Sequence, residues 1–147
     1  IYIIMNIGAF GCIFLMKKDG KYLEEINDLS GISKEHPIFS ISFLIILFSL
    51  AGIPPLAGFF AKFYIFMAVI ENNMYALAII GLLSTVVSAF YYLKIIKTIY
   101  FDEIKTPFDK IKNINIVGTI FISCFLLITF FLYPSILTNI VESVFLN

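Results

Sequence analysis

Lys62 is the only charge in an otherwise apolar run from Pro37 to Ile70, and it follows a Gly-Ile-Pro-Pro break (Gly52–Pro55) by seven residues. A charge at mid-bilayer depth costs about 2.5–3.5 kcal/mol on insertion scales, so such residues mark substrate, ion or proton paths. Proline lacks an N–H and crowds the carbonyl four residues back, here those of Leu50 and Ala51, in a medium that offers no water to replace the lost bonds. An amine taken out of water can exchange its proton near neutral pH. Amine and broken backbone together describe a path for a proton or cation. The plain alternative is a lysine that snorkels to an interface beside an ordinary proline kink. Lys62 lies nine residues before Glu71, about 13 Å of helix, so snorkelling would need tilt or a thinned bilayer.

The residues around this pair fall into four apolar stretches: 1–16, 38–70, 74–93 and 114–133. The first, at 1.5 Å per residue, spans about 24 Å against a hydrocarbon core of about 30 Å, and reads as a truncated span. It has neither the basic flank nor the small-residue cleavage site of a signal peptide. The second would be about 50 Å as one straight helix, too long even when tilted, so it must be interrupted. Residues before proline avoid the helical region, and Gly52 and Gly58 relax the sterics around the break. The prediction is two half-helices, 38–51 and 55–70, broken at 52–55. Such a middle is tolerated only against protein or a water-filled cavity, and discontinuous helices build ion sites in transporters.

The lysines fix an orientation. Loop 17–37 carries Lys17, Lys18, Lys21 and Lys34, loop 94–113 carries Lys94, Lys97, Lys105, Lys110 and Lys112, and the turn 71–73 and the tail 134–147 carry none. The positive-inside rule then places both lysine-bearing loops on the cytoplasmic (or matrix) side. The expected fold is all-α: a polytopic transmembrane helical bundle forming a single membrane domain over 1–147, of about four spans, the second discontinuous.

Composition excludes a soluble enzyme: 61% of residues are hydrophobic and mean hydropathy is +1.00, where soluble domains are about half apolar. Ten lysines balance ten acids, so nothing points to nucleic acid. Cys12 and Cys124 sit singly in apolar runs and read as packing residues, without a disulfide or metal spacing. No phosphate-binding loop, zinc spacing, haem motif or catalytic triad is present. None of the four stretches contains an acid, so the counter-charge of Lys62 is expected from water, from chain outside this sequence, or from a neighbouring subunit.

Around Lys62 cluster Phe59, Phe60, Phe63, Tyr64 and Phe66, residues for packing or for gating hydration. In the third stretch Gly81, Ser84, Thr85 and Ser88 share one helical face, either a close-packing stripe or hydroxyls that hold water leading to Lys62. Tyr91, Tyr92, Lys94, Lys97 and Tyr100 form an interfacial belt. His36, before Pro37, is an interface residue or, with Glu35, passes protons at the surface. Asp102, Glu103 and Asp109 read as loop charges.

The stretch Ser49-Leu-Ala-Gly-Ile-Pro-Pro-Leu-Ala-Gly-Phe-Phe-Ala-Lys-Phe-Tyr64 resembles the late broken helix of the antiporter-like subunits of respiratory complex I, subunit N in particular (NADH dehydrogenase subunit 2 in mitochondria). Asp28-Leu-Ser-Gly-Ile-Ser-Lys-Glu-His-Pro37 resembles the loop leading into that helix, and Ala89-Phe-Tyr-Tyr-Leu-Lys94 with Tyr100-Phe-Asp102 the end of the next span. The resemblance covers nearly the whole chain. It implies that these spans are the last part of a longer subunit, and that Lys62 is a proton-relay lysine in a chain of buried ionisable groups along the membrane arm. It further implies partners among the other membrane-arm subunits and the lipid bilayer, in a bacterial inner (cell) membrane or mitochondrial inner membrane. The whole would be an enzyme complex, NADH:quinone oxidoreductase, whose NADH, FMN, iron–sulfur clusters and quinone are bound by the wider complex and none by this chain. A cation/proton antiporter complex shares the broken-helix motif, and a non-transporting structural fragment is the alternative from another class.

Overall fold

The computed structural model describes residues 1–18, 20–104, 108–111 and 113–132. Lys105, Lys112 and the tail 134–147, named above, lie outside the described residues. The elements run α1 (Tyr2–Leu15), a two-residue antiparallel hairpin β1 (Lys17–Lys18) and β2 (Lys21–Tyr22), a 3₁₀ turn (Ile26–Leu29), α2 (Ile32–Glu35), α3 (Pro37–Ala51), α4 (Ala57–Glu71), α5 (Tyr75–Phe101) and α6 (Ile114–Leu132). The architecture is a bundle of apolar helices whose second hydrophobic stretch is divided, as membrane spans must be wherever the backbone cannot bond itself.

The core forms where α1, α3 and α6 meet. Met5 and Cys12 from α1, Phe43, Ile46 and Leu47 from α3, and Ile120, Cys124 and Leu127 from α6 are all buried. Cys12 and Cys124 are free and buried, and the Cys124 thiol donates to the Ser42 carbonyl at 3.4 Å. By contrast, the α5 stretch apolar enough to cross a membrane is wholly unburied within this chain, and among the described residues α5 is the one helix that meets the length and composition of a span by itself. A helix that is apolar all round and unburied faces lipid or other protein.

The two lysine-bearing connections come together at one end of the bundle. Gly31 N–H donates to Thr98 O at 3.1 Å, Phe108 N–H to the Glu35 carboxylate at 2.9 Å, Asp109 N–H to Lys17 O at 3.1 Å, and Gly20 N–H to the Asp109 carboxylate at 2.8 Å. These contacts also correct the reading of 17–37 and 94–113 as plain loops. The first holds a hairpin and two short helical turns, and α5 continues past residue 93 to Phe101. Its last turns stay helical because Ile96, Thr98 and Ile99 are buried against the 3₁₀ turn and α2–α3, which outweighs the surface charge of Lys94 and Lys97.

Candidate functional site: the broken helix and Lys62

The end of α3 follows from three residue types. Gly52 adopts φ +81°, ψ +32°, the left-handed conformation that a glycine accepts without Cβ strain. Ile53 N–H then bonds to Phe48 O at 3.0 Å and Gly52 N–H to Ser49 O at 3.0 Å, the paired bonds of a Schellman cap. Two carbonyls of the last turn remain, those of Leu50 and Ala51. In a continuing helix their donors would be the N–H groups four residues on, but those positions are Pro54 and Pro55, which have none. The bond between the two prolines is cis. The break covers Gly52–Leu56, one residue beyond the expected 52–55, and α4 starts at Ala57 rather than 55.

Lys62 supplies the missing donors. Its Nζ donates to Leu50 O at 2.9 Å and to Ala51 O at 3.1 Å, with the side chain half-buried. A cation at a helix C-terminus also meets the negative end of the macrodipole, equivalent to about half an elementary charge. The amine therefore has partners inside this chain, main-chain dipoles rather than the external counter-charge expected from the absence of acids. Spacing along the sequence cannot reveal that; it depends on the first turns of α4 packing beside the last turn of α3.

The approach is tight at both glycines, against the Lys62 side chain at Gly52 and against backbone at Gly58. A Cβ on Gly52 would lie 3.0 Å from Lys62 Cδ and 3.2 Å from its Nζ, and one on Gly58 would overlap the Ser49 carbonyl oxygen. Ser49, fully buried, accepts from Gly58 N–H at 3.1 Å and donates to Met5 Sδ at 3.1 Å. Sequence reasoning did not single out Ser49 or Met5, since neither is unusual in an apolar helix.

Residues 1–88 match the family described as NADH:quinone oxidoreductase/Mrp antiporter, transmembrane region. The chain belongs to this family. It is 58% identical over 144 residues to NADH-quinone oxidoreductase subunit N of Pelagibacter ubique, covering 98% of this chain and 31% of that protein. Against subunit N of Rhodospirillum rubrum it is 46% identical over 139 residues, covering 95% of this chain and 28% of the relative. A chain of respiratory complex I from Thermus thermophilus, solved with bound aureothin, superimposes with a TM-score of 0.73 at 25% identity over 91% of this chain and 31% of that one. The chain thus spans under a third of the length of these relatives.

In this antiporter-family chain the other singled-out residues separate into groups. Ser84, Thr85 and Ser88 each donate to a carbonyl of their own helix (Gly81, Leu82 and Ser84, at 2.7–2.9 Å). Gly81 lies under Phe66 of α4, where a Cβ would come within 2.9 Å of the ring. Phe59 packs on Phe60 and Phe63, Phe60 reaches Phe130 of α6 with centroids 6.2 Å apart, and Phe63 meets Tyr64. Glu35 holds the Phe108 amide rather than His36, and Lys97 pairs with Asp102 at 2.9 Å on the surface.

Proposed function

We propose that this chain belongs to the proton-translocating part of NADH:quinone oxidoreductase, as the late spans of its antiporter-like subunit N, with Lys62 as the proton-relay group. The observation that carries the reading is the Lys62 ammonium on the Leu50 and Ala51 carbonyls, inside the interrupted helix of a family that couples respiration or cation exchange to proton movement. The carbonyls hold the charged amine at a defined point of the span. A charge or conformational change elsewhere in the complex alters how well that point suits a cation. The amine then passes its proton to water at the broken backbone and later regains one. Ser84, Thr85 and Ser88 keep lone pairs that such a water path can use. NADH, FMN, iron–sulfur clusters and quinone belong to other subunits of the assembly, which lies in the bacterial inner (cell) membrane, in keeping with the bacterial relatives.

Lys62→Met in the full-length subunit tests this directly. Complex assembled with the variant should lose proton pumping and coupled quinone reduction by about a hundredfold, the lower end for removing a positioned proton-transfer group. Undiminished pumping at normal assembly overturns it. The family's description also names the Mrp antiporter, and the names of the relatives favour the respiratory assembly. Co-purification with NADH-oxidising subunits distinguishes the two.

A further inference from the structure

We infer that Ser49 is a positioning residue for Lys62: its hydroxyl caps α4 from the neighbouring half-helix and so fixes where the amine stands. The inference rests on the proton-relay reading of Lys62. A helix leaves its first N–H groups without intrahelical acceptors, and Ser, Thr, Asp or Asn just before the helix supplies one. The residue in that place for α4 is Leu56, which makes no side-chain cap. The acceptor comes instead from α3, where Ser49 Oγ takes the Gly58 N–H at 3.1 Å. The same hydroxyl donates to Met5 Sδ on α1 at 3.1 Å, and Ser49 has no exposed surface. Its donor and acceptor capacity both serve to join α1, α3 and α4.

The geometry ties this clip to the amine. Gly58 and Lys62 are four residues apart, on one face of α4 and about 6 Å, just over one turn, from each other. Across from them Ser49 immediately precedes Leu50 and Ala51, whose carbonyls receive the ammonium. The Ser49–Gly58 bond and the two Lys62 bonds are therefore neighbouring rungs between the same two half-helices. The lower rung sets how far α4 slides or tilts, and the upper rung reads that setting out at the reacting nitrogen. The lysine stem is flexible, so without the lower rung the amine samples positions off the two carbonyls.

The test places Ser49→Ala, Ser49→Cys and Ser49→Thr in the full-length subunit of the intact complex, beside Lys62→Met. It reads protons pumped per NADH oxidised at matched complex content. Cysteine fills the serine's space but is a weak acceptor, whereas threonine keeps the hydroxyl. The expected result is a loss of about three- to tenfold in pumping for the alanine and cysteine variants, the range for forfeiting one buried hydrogen bond, with recovery in Ser49→Thr. Should Ser49→Ala not assemble, Ser49→Cys decides. Normal pumping in Ser49→Ala or Ser49→Cys while Lys62→Met fails overturns the positioning role and leaves the relay standing. Normal pumping in all four variants overturns both.

Discussion

Gly58→Ala tests whether the close approach of the half-helices is what sets the Lys62 site. A Cβ there would overlap the Ser49 carbonyl oxygen and lie 2.7 Å from its carbonyl carbon, where ordinary contact begins near 3.4 Å. The obstacle is backbone, so no rotamer change relieves it, and α4 must retreat from α3 by about 1 Å or more. Lys62 rides on the same face one turn later. Its bonds start at 2.9 and 3.1 Å, and that retreat carries both beyond the usual limit of about 3.2 Å. Overpacking of this kind costs about 1–3 kcal/mol. Each bond from a charged donor is worth about 1.5–3 kcal/mol, roughly halved here because the half-buried amine can turn to water. Together these come to about 2.5–6 kcal/mol, a large share of a typical stability. The assay is the content of assembled complex on native gels and the pumping of what assembles. Severalfold less complex, with poor pumping per complex, is expected. Wild-type values for both would refute the argument that these backbones touch at Gly58.

Two further predictions concern the lysine-bearing end of the bundle. Gly31 (φ +72°) and Gly20 (φ +75°) share a left-handed backbone, but a Cβ on Gly31 would lie 2.8 Å from Ile104 N and one on Gly20 would meet nothing within 4 Å. Gly20→Ala should therefore destabilise by about 1–2 kcal/mol from the backbone alone and Gly31→Ala by about 2–5 kcal/mol. Thermal inactivation of the purified complex ranks them, and equal losses would contradict the packing of Gly31 on residues 102–104. Glu35→Ala removes the acceptor of the Phe108 amide and should speed hydrogen exchange across 108–111 at a cost of about 1 kcal/mol. Glu35→Gln, which keeps an acceptor oxygen, should change it less.

Local chemistry was legible in the sequence because it acts over a few residues. The double proline after Gly52 dictates that the second apolar stretch must break, whatever surrounds it, since two N–H groups are missing and one residue favours the left-handed region. Helix type, the number of apolar stretches and the singular charge at Lys62 follow from composition and spacing in the same way. The continuation of α5 through Lys94 and Lys97 to Phe101 was not legible, because it depends on burial of Ile96 and Ile99 against a distant loop. The short structure within 17–37 escaped for the same reason.

What the sequence by itself determined is that carbonyls at Leu50 and Ala51 would lack donors and that one amine would lie nearby along the chain. Only the tertiary structure decided that this amine is the donor. That outcome requires the start of α4 to sit beside the end of α3 with Gly58 against the Ser49 carbonyl, a packing set by main-chain contact and by the Ser49 hydroxyl. Pairings between half-helices depend on relative rotation and offset, which residue spacing does not encode, whereas a missing N–H is written into the residue type itself.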